Sequence, residues 1–211
     1  MPHYAVHGID VSHYQARVDW DTIATQKVDF VFVKATEGET IADSLFCNNW
    51  DAIKRVGIKR GAYHFFRPTT SPLNQAHNFI DQVKLEIGDL PPVLDIEVID
   101  GVNEYTLRES LKAWLVIIED YYEIRPIIYT NLKFYQRYIE QYFDEYPIWI
   151  ARYNTKKPYL GNDRNWLFWQ YGNRGKLAGI DGYVDFNVFE GTLLDLHSLC
   201  IPGEPSYSLI E

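Results

Sequence analysis

The sequence predicts an α/β fold, a TIM-like barrel of eight strands with five helices, (β/α)5(β)3. Three observations predict it. Apolar runs of strand length alternate with helical segments five times from the start of the chain to Phe143, the pattern of a parallel sheet with crossover helices. Three further strand-like runs follow with no convincing helix between them, which brings the strands to the number that closes a small barrel. The chain has 211 residues, fewer than the about 250 that a barrel with eight helices typically takes. The missing length lies where the last three helices would be. No repeat or interdomain linker interrupts the pattern, so residues 1–211 are expected to form a single catalytic barrel domain, with its core in residues 4–200 and a polar, proline-containing tail over 202–211.

The elements read in order as follows. Tyr4 to Val11 alternates loosely as a strand, and Val18 to Lys27 is a short helix that Asp19 or Asp21 can cap. Phe30 to Ala35 is a buried strand. Asp43 to Val56 is a helix, with Leu45, Asn49, Ala52, Ile53 and Val56 at helical spacing and Gly57 as its stop. Ile58 to Phe66 is the third strand, and Ser71 to Leu85 the third helix, with Ser71 as cap and Pro72 in its first turn. Val93 to Glu97 is the fourth strand. Glu104 to Tyr122 is the longest helix, its stripe being Leu107, Leu111, Trp114, Leu115, Ile118 and Tyr122. Pro126 to Thr130 and Leu132 to Phe143 complete the fifth unit. Pro147–Tyr153, Trp166–Tyr171 and Val184–Phe189 are the last strands. A parallel return needs about a dozen residues or more, and the glycine-rich link Gly172–Gly182 is too short to hold a long helix, so a late strand is expected to run antiparallel.

Composition narrows the function. The 20 basic and 29 acidic side chains give a formal charge of −9, and no Lys/Arg run appears, which argues against nucleic acid as a partner. No apolar run is long enough to span a membrane. Met1–Tyr4 lacks the basic start and apolar centre of a signal peptide. The 6 Trp, 16 Tyr and 11 Phe exceed what a core requires and suit a cleft that stacks on flat ligands or sugar faces. Cys47 and Cys200 lack metal-site spacing and are expected to be two buried thiols rather than a bridge. The six histidines are scattered, and the one pair at i, i+4 spacing, His3 and His7, stands at the start of the first strand rather than on a helix, so it does not make a helical zinc site. No metal or cofactor is expected.

The chemistry collects on Leu90–Asp100. Asp95 and Glu97 stand two apart in an apolar run. On a strand they share a face, with Cα atoms roughly 6–7 Å apart. Like charges at that range ionise together only at a cost, so the pair needs a purpose. In a barrel, functional groups sit at the carboxyl ends of strands. Those ends hold Asp10, Lys34–Glu37, Tyr63-His64, Asp95 with Glu97, Tyr129–Asn131, Arg152-Tyr153 and Gln170-Tyr171, while Asp185 lies in the last strand. Each has a plainer role to compete with. Asp10 can cap a turn, Asp185 can bind a loop amide, and the aromatics can be core. His64 reads as a satisfied polar residue rather than a proton shuttle.

Several of these stretches together resemble glycoside hydrolase family 25, the Chalaropsis-type lysozymes. They are His7–Ser12, Gly61–Phe65, Pro92–Glu97, Pro126–Thr130, Trp149–Tyr153, Trp169–Tyr171 and Gly179–Asn187. The resemblance runs from His7 to Phe189 with the motifs in family order. It implies the eight-stranded barrel and hydrolysis of the β-1,4 bond between N-acetylmuramic acid and N-acetylglucosamine in peptidoglycan. It places the catalytic acids at Asp10, Asp95, Glu97 and Asp185. Phe186 departs from the pattern, an aliphatic being commoner there, and no cell-wall-binding repeat follows the barrel. Sugar contacts are expected from Tyr63, Phe65, Tyr129, Arg152, Trp169 and Gln170, with Tyr63, Tyr129 and Trp169 bordering the acidic cleft.

Glu97 is expected to be the general acid, with Asp95 ionised and supported by Asp10 and Asp185. The second carboxyl group has two open roles: base for an inverting water, or guide for attack by the substrate's own acetamido oxygen. The resemblance leans towards the second. A carbohydrate-binding barrel without catalysis and a divalent cation held by the four acids are the competing readings. A secreted or envelope location, peptidoglycan strands as partner and a monomeric state complete the expectations.

Overall fold

The computed structural model describes residues 3–161 and 164–203. Its strands are β1 (Val6–Val11), β2 (Phe30–Glu37), β3 (Ile41–Ala42), β4 (Lys59–Phe65), β5 (Val93–Asp95), β6 (Ile127–Asn131), β7 (Ile148–Ala151), β8 (Phe168–Gly175) and β9 (Val184–Phe189). Eight of them close a barrel in the order β1-β2-β4-β5-β6-β7-β8-β9, and β9 returns to β1. The two-residue β3 forms a hairpin on the end of β2, outside the closure. All neighbours pair parallel except β9, which is antiparallel to both β8 and β1. The reason is length: residues 176–183 between β8 and β9 are too few for a parallel crossover.

The helices are α1 (Trp20–Ala24), α2 (Phe46–Val56), α3 (Pro72–Gln82), α4 (Glu104–Tyr122), α5 (Leu132–Phe134) and α6 (Leu193–Leu199). Asp19, Ser71 and Asn103 cap α1, α3 and α4 through their side-chain oxygens. Gly57 ends α2 in the left-handed conformation at φ 78°. The fifth helix is shorter than its apolar pattern implies, because α5 passes after one turn into a π-helical turn, Tyr135–Ile139. Among the described residues no helix lies between Asn154 and Asn165 or between Gly172 and Gly182. The two-turn α6 follows the last strand and is additional to the five helices read from the sequence. The tail expected over 202–211 lies outside the described residues beyond Gly203.

Strand alternation sorts the core into two layers. Val6, Phe30, Phe32, Val93, Ile127, Trp149, Phe168 and Phe189 point inward and fill the barrel, closed at one end by Leu196 and Cys200 from the α6 segment. Ile9, Val11, Val31, Val33, Leu94, Ile128 and Ile150 point outward against the helices. Cys200 is buried as expected, whereas Cys47 is exposed on α2, where its position falls outside the packed stripe. The two are free thiols.

Two glycines make the inner layer possible. A Cβ on Gly8 would stand 2.4 Å from the Phe30 ring, and one on Gly61 would stand 2.5 Å from the Phe32 ring and 3.1 Å from Leu90. Each glycine is the registered neighbour of the phenylalanine it accommodates. Gly61→Ala should therefore destabilise the fold by about 1–3 kcal/mol through overpacking. Urea unfolding would read this as a lower midpoint at constant slope, and an unshifted midpoint would show that Phe32 can move aside.

Candidate active site

The same alternation that sends Val6, Phe32 and Trp149 into the barrel floor sends polar side chains into its mouth. Asp10 follows Val6 and Gly8 on the inward face of β1. Lys34 follows Phe30 and Phe32 on β2, and Asp95 follows Val93 on β5. Glu97 lies just past the end of β5, and its approach is still held by the Ile96 amide donating to the Tyr129 carbonyl at 3.0 Å. The hydroxyl of Thr130 donates to the Ile96 carbonyl at 2.6 Å. Asp185 is near the start of β9, which lies at the same mouth because that strand runs the other way. Asp10 and Asp185 are direct cross-strand partners, an arrangement of like charges that a sheet ordinarily avoids.

Asp10, Lys34, Tyr63, Phe65, Asp95, Glu97, Tyr129, Gln170 and Asp185 line one cleft of about 240 Å³. Tyr14, Trp149 and Tyr153 complete its aromatic wall. Asp10 is fixed by two amides on one oxygen: Gln170 Nε2 donates to Oδ2 at 2.8 Å and Asn187 Nδ2 at 2.7 Å. Gln170 is held in turn, since the hydroxyls of Tyr129 and Tyr153 donate to its Oε1 at 2.8 and 2.9 Å. Trp149 Nε1 donates to Asn187 Oδ1 at 2.8 Å. The amide groups are thereby oriented with their N–H donors towards the acid. By contrast, Oδ1 of Asp95 is buried with no hydrogen-bond partner among the described residues.

Residues 9–180 match the family described as Glycosyl hydrolases family 25. The chain belongs to this family. An uncharacterised Escherichia coli protein, YegX, is 42% identical over 201 residues, covering 92% of this chain and 73% of YegX. Lysozyme M1 of Streptomyces globisporus is 32% identical, covering 92% of this chain and 71% of its own. The solved family 25 glycosyl hydrolase from Bacillus anthracis superposes with a TM-score of 0.89 at 33% identity, covering 95% of this chain and 96% of the other. The family 25 chain is thus a glycoside hydrolase on an α/β barrel.

Two residues expected in the family 25 cleft are elsewhere. Trp169 lies between inward Phe168 and inward Gln170, so it faces outward; it is 1% exposed, packs on Trp166, and donates to the Arg152 carbonyl at 2.8 Å. Arg152 has the outward parity that follows inward Trp149 and Ala151, and its guanidinium reaches the Lys157 carbonyl. Its neighbour Tyr153 takes the inward place. Asn187, Lys34 and Tyr153 had a readable signal. Each is a polar residue two positions from an inward residue on the same strand or its end. His64 is off the cleft and fully buried, with Nδ1 2.7 Å from the Thr36 hydroxyl and Nε2 3.0 Å from Gln75 Oε1. Among the described residues, no group of three or more His, Cys, Asp or Glu side chains is placed to hold a metal ion.

Burial dominates the electrostatics. It pushes Asp10 up to about 6, against the pull of the Asn187 and Gln170 amides. It raises Asp95 well above the carboxylate range, aided by the charge of Glu97 and opposed by Lys34. Glu97 is raised by burial and then by Asp10. Asp185 is pushed up to about 8 by burial, then by Asp10 and Glu97. The cluster therefore retains protons near neutrality, and the ionised Asp95 expected from sequence is opposed by its own burial.

A stability signature follows. Each raised carboxyl keeps a proton in the folded state that the unfolded chain has released, so stability falls as pH rises from the unfolded value near 3.8 through the folded one. His64, lowered by burial from 6.5 to about 4, acts oppositely, and its contribution is lost as pH falls through that window. From pH 6.5 to about 8 only the carboxyl effect remains. Stability should drop there by about 1–2 kcal/mol after allowance for the partial exposure of Asp185. Asp185→Asn should flatten the decline. A wild-type denaturation midpoint constant over that range would show that Asp185 ionises freely.

Proposed function

We propose that this family 25 enzyme is a lysozyme of the muramidase type, cleaving the β-1,4 bond between N-acetylmuramic acid and N-acetylglucosamine in peptidoglycan. The observation that carries the reading is the convergence of four carboxyl groups, Asp10, Asp95, Glu97 and Asp185, on one small aromatic cleft. Glu97 carries the proton given to the leaving oxygen as the bond to the anomeric carbon breaks. The buried Oδ1 of Asp95 accepts the N–H of the substrate's 2-acetamido group and turns its carbonyl oxygen towards that carbon. The oxygen attacks and forms a cyclic oxazolinium ion. Glu97, now a carboxylate, takes a proton from the water that opens the ring. Asp10, fixed by the Gln170 and Asn187 amides, and its cross-strand partner Asp185 support Asp95 in guiding the acetamido group. The positive charge that develops on the acetamido group favours the carboxylate form of Asp95 in the transition state.

Residues 1–211 act as one catalytic barrel domain and as a monomer, at the cell envelope or outside the cell, with glycan strands as the partner. Among the described residues no helix is long and apolar enough to cross a membrane. A binding barrel without catalysis is separated by one experiment. Purified peptidoglycan incubated with the protein should release soluble fragments and new reducing ends. Binding to the insoluble wall with no new reducing ends would overturn the enzymatic reading.

A further inference from the structure

We infer that Tyr14 is a sugar-stacking platform at the open rim of the cleft, holding a saccharide unit beyond the one that reacts. The inference rests on the cleft being a glycan site. Tyr14 lines that cleft, yet it is 79% exposed, while Trp149 and Tyr129 on its walls are 2% and 6% exposed. An aromatic open to water at a polar cleft leaves one face free, and that face matches the C–H face of a pyranose ring.

The ring is nevertheless held in place. Tyr14 sits in a 3-10 turn, His13–Gln15, immediately after the strand that bears Asp10. The turn is closed by a reciprocal cap: Ser12 Oγ accepts from the Tyr14 amide, and Gln15 Oε1 accepts from the Ser12 amide at 2.9 Å. Gln15 Nε2 also donates to the Tyr183 carbonyl at 3.2 Å, tying the turn to the loop that enters the neighbouring strand β9. One side of Tyr14 is backed by His13, ring centroids 4.2 Å apart. His13 is itself clamped, since Asp43 Oδ2 takes its backbone amide at 3.0 Å and lies 2.7 Å from Nδ1. Asp43 is buried, and its amide donates to the Ala35 carbonyl of β2 at 2.8 Å. Thus a chain of contacts runs from the barrel wall through Asp43 and His13 to a ring whose outer face is free. Such a ring binds without an ordering cost, which is what a preformed subsite requires.

The test uses soluble glycan prepared from purified peptidoglycan, together with titration of chitotetraose into the Glu97→Gln protein. Tyr14→Ala should raise KM on the glycan roughly three- to tenfold, the scale of one aromatic contact, with kcat changed by less than about twofold. Chitotetraose affinity should fall by the same factor. Tyr14→Phe should retain both, and His13→Ala should give a smaller loss of each by loosening the ring. Unchanged KM and affinity in Tyr14→Ala would overturn the platform, as would a loss confined to kcat. If the wild type binds chitotetraose through Tyr14 but cleaves no glycan, the platform stands and the muramidase reading falls. If it neither binds nor cleaves, both fall.

Discussion

Glu97→Gln should lower turnover on peptidoglycan by about 10²–10⁴-fold, the range a positioned general acid supplies, while leaving affinity for glycan nearly intact. The amide keeps the shape and hydrogen-bonding reach of the carboxyl group but has no proton to give. Glu97 is suited to the role because burial and the neighbouring Asp10 raise its pKa, so the protonated form persists towards neutral pH. An aryl glycoside with a good leaving group needs less help from an acid. It should recover a larger share of the lost rate in Glu97→Gln than in Asp95→Asn. Rescue of Asp95→Asn instead would mean that the roles of the two acids are exchanged.

Asp95→Asn should cost about 10²–10³-fold in kcat, comparable to losing one preorganised contact to charge that develops in the transition state. Asp95 is 5% exposed, and its Oδ1 has no hydrogen-bond partner among the described residues. A substrate acetamide can supply the missing partner and gains orientation from it. Wild-type rates on substrates whose acetyl group carries one, two or three fluorines distinguish the two routes. Attack by the acetamido oxygen predicts a steep decline with each fluorine, because fluorine withdraws electrons from that oxygen. A flat series would assign the attack to water and make Asp95 its base.

The barrel was legible because its signals are periodic. The apolar stripe of Glu104–Tyr122 and the cap and stop residues Ser71 and Gly57 are local, and they matched the elements that form. What escaped depends on contacts made across the fold. The shift of α5 into a π-helical turn follows no local pattern in Leu132–Phe143. Helix α6 is short, and its fixed role comes from plugging the barrel with Leu196 and Cys200, which only the closed structure creates. At the site, Asp10, Asp95 and Glu97 were readable from strand ends and Asp185 from the family resemblance, and the structure brings all four to one cleft. Trp169 and Arg152 were misplaced because proximity to a strand end was weighed without strand parity. Counting in twos from inward Phe168 and Trp149 turns both outward and selects Gln170 and Tyr153. Asn187 was passed over by the same omission, although its amide is one of the two that hold Asp10.

An acidic cleft that cuts on the muramic acid side of the glycan linkage leaves that sugar at the new reducing ends. Fragments released from purified peptidoglycan would be reduced with borohydride and analysed by mass spectrometry. Reduced N-acetylmuramic acid is expected at the released ends, abolished in Glu97→Gln. Reduced N-acetylglucosamine in its place would contradict a cut on the muramic acid side.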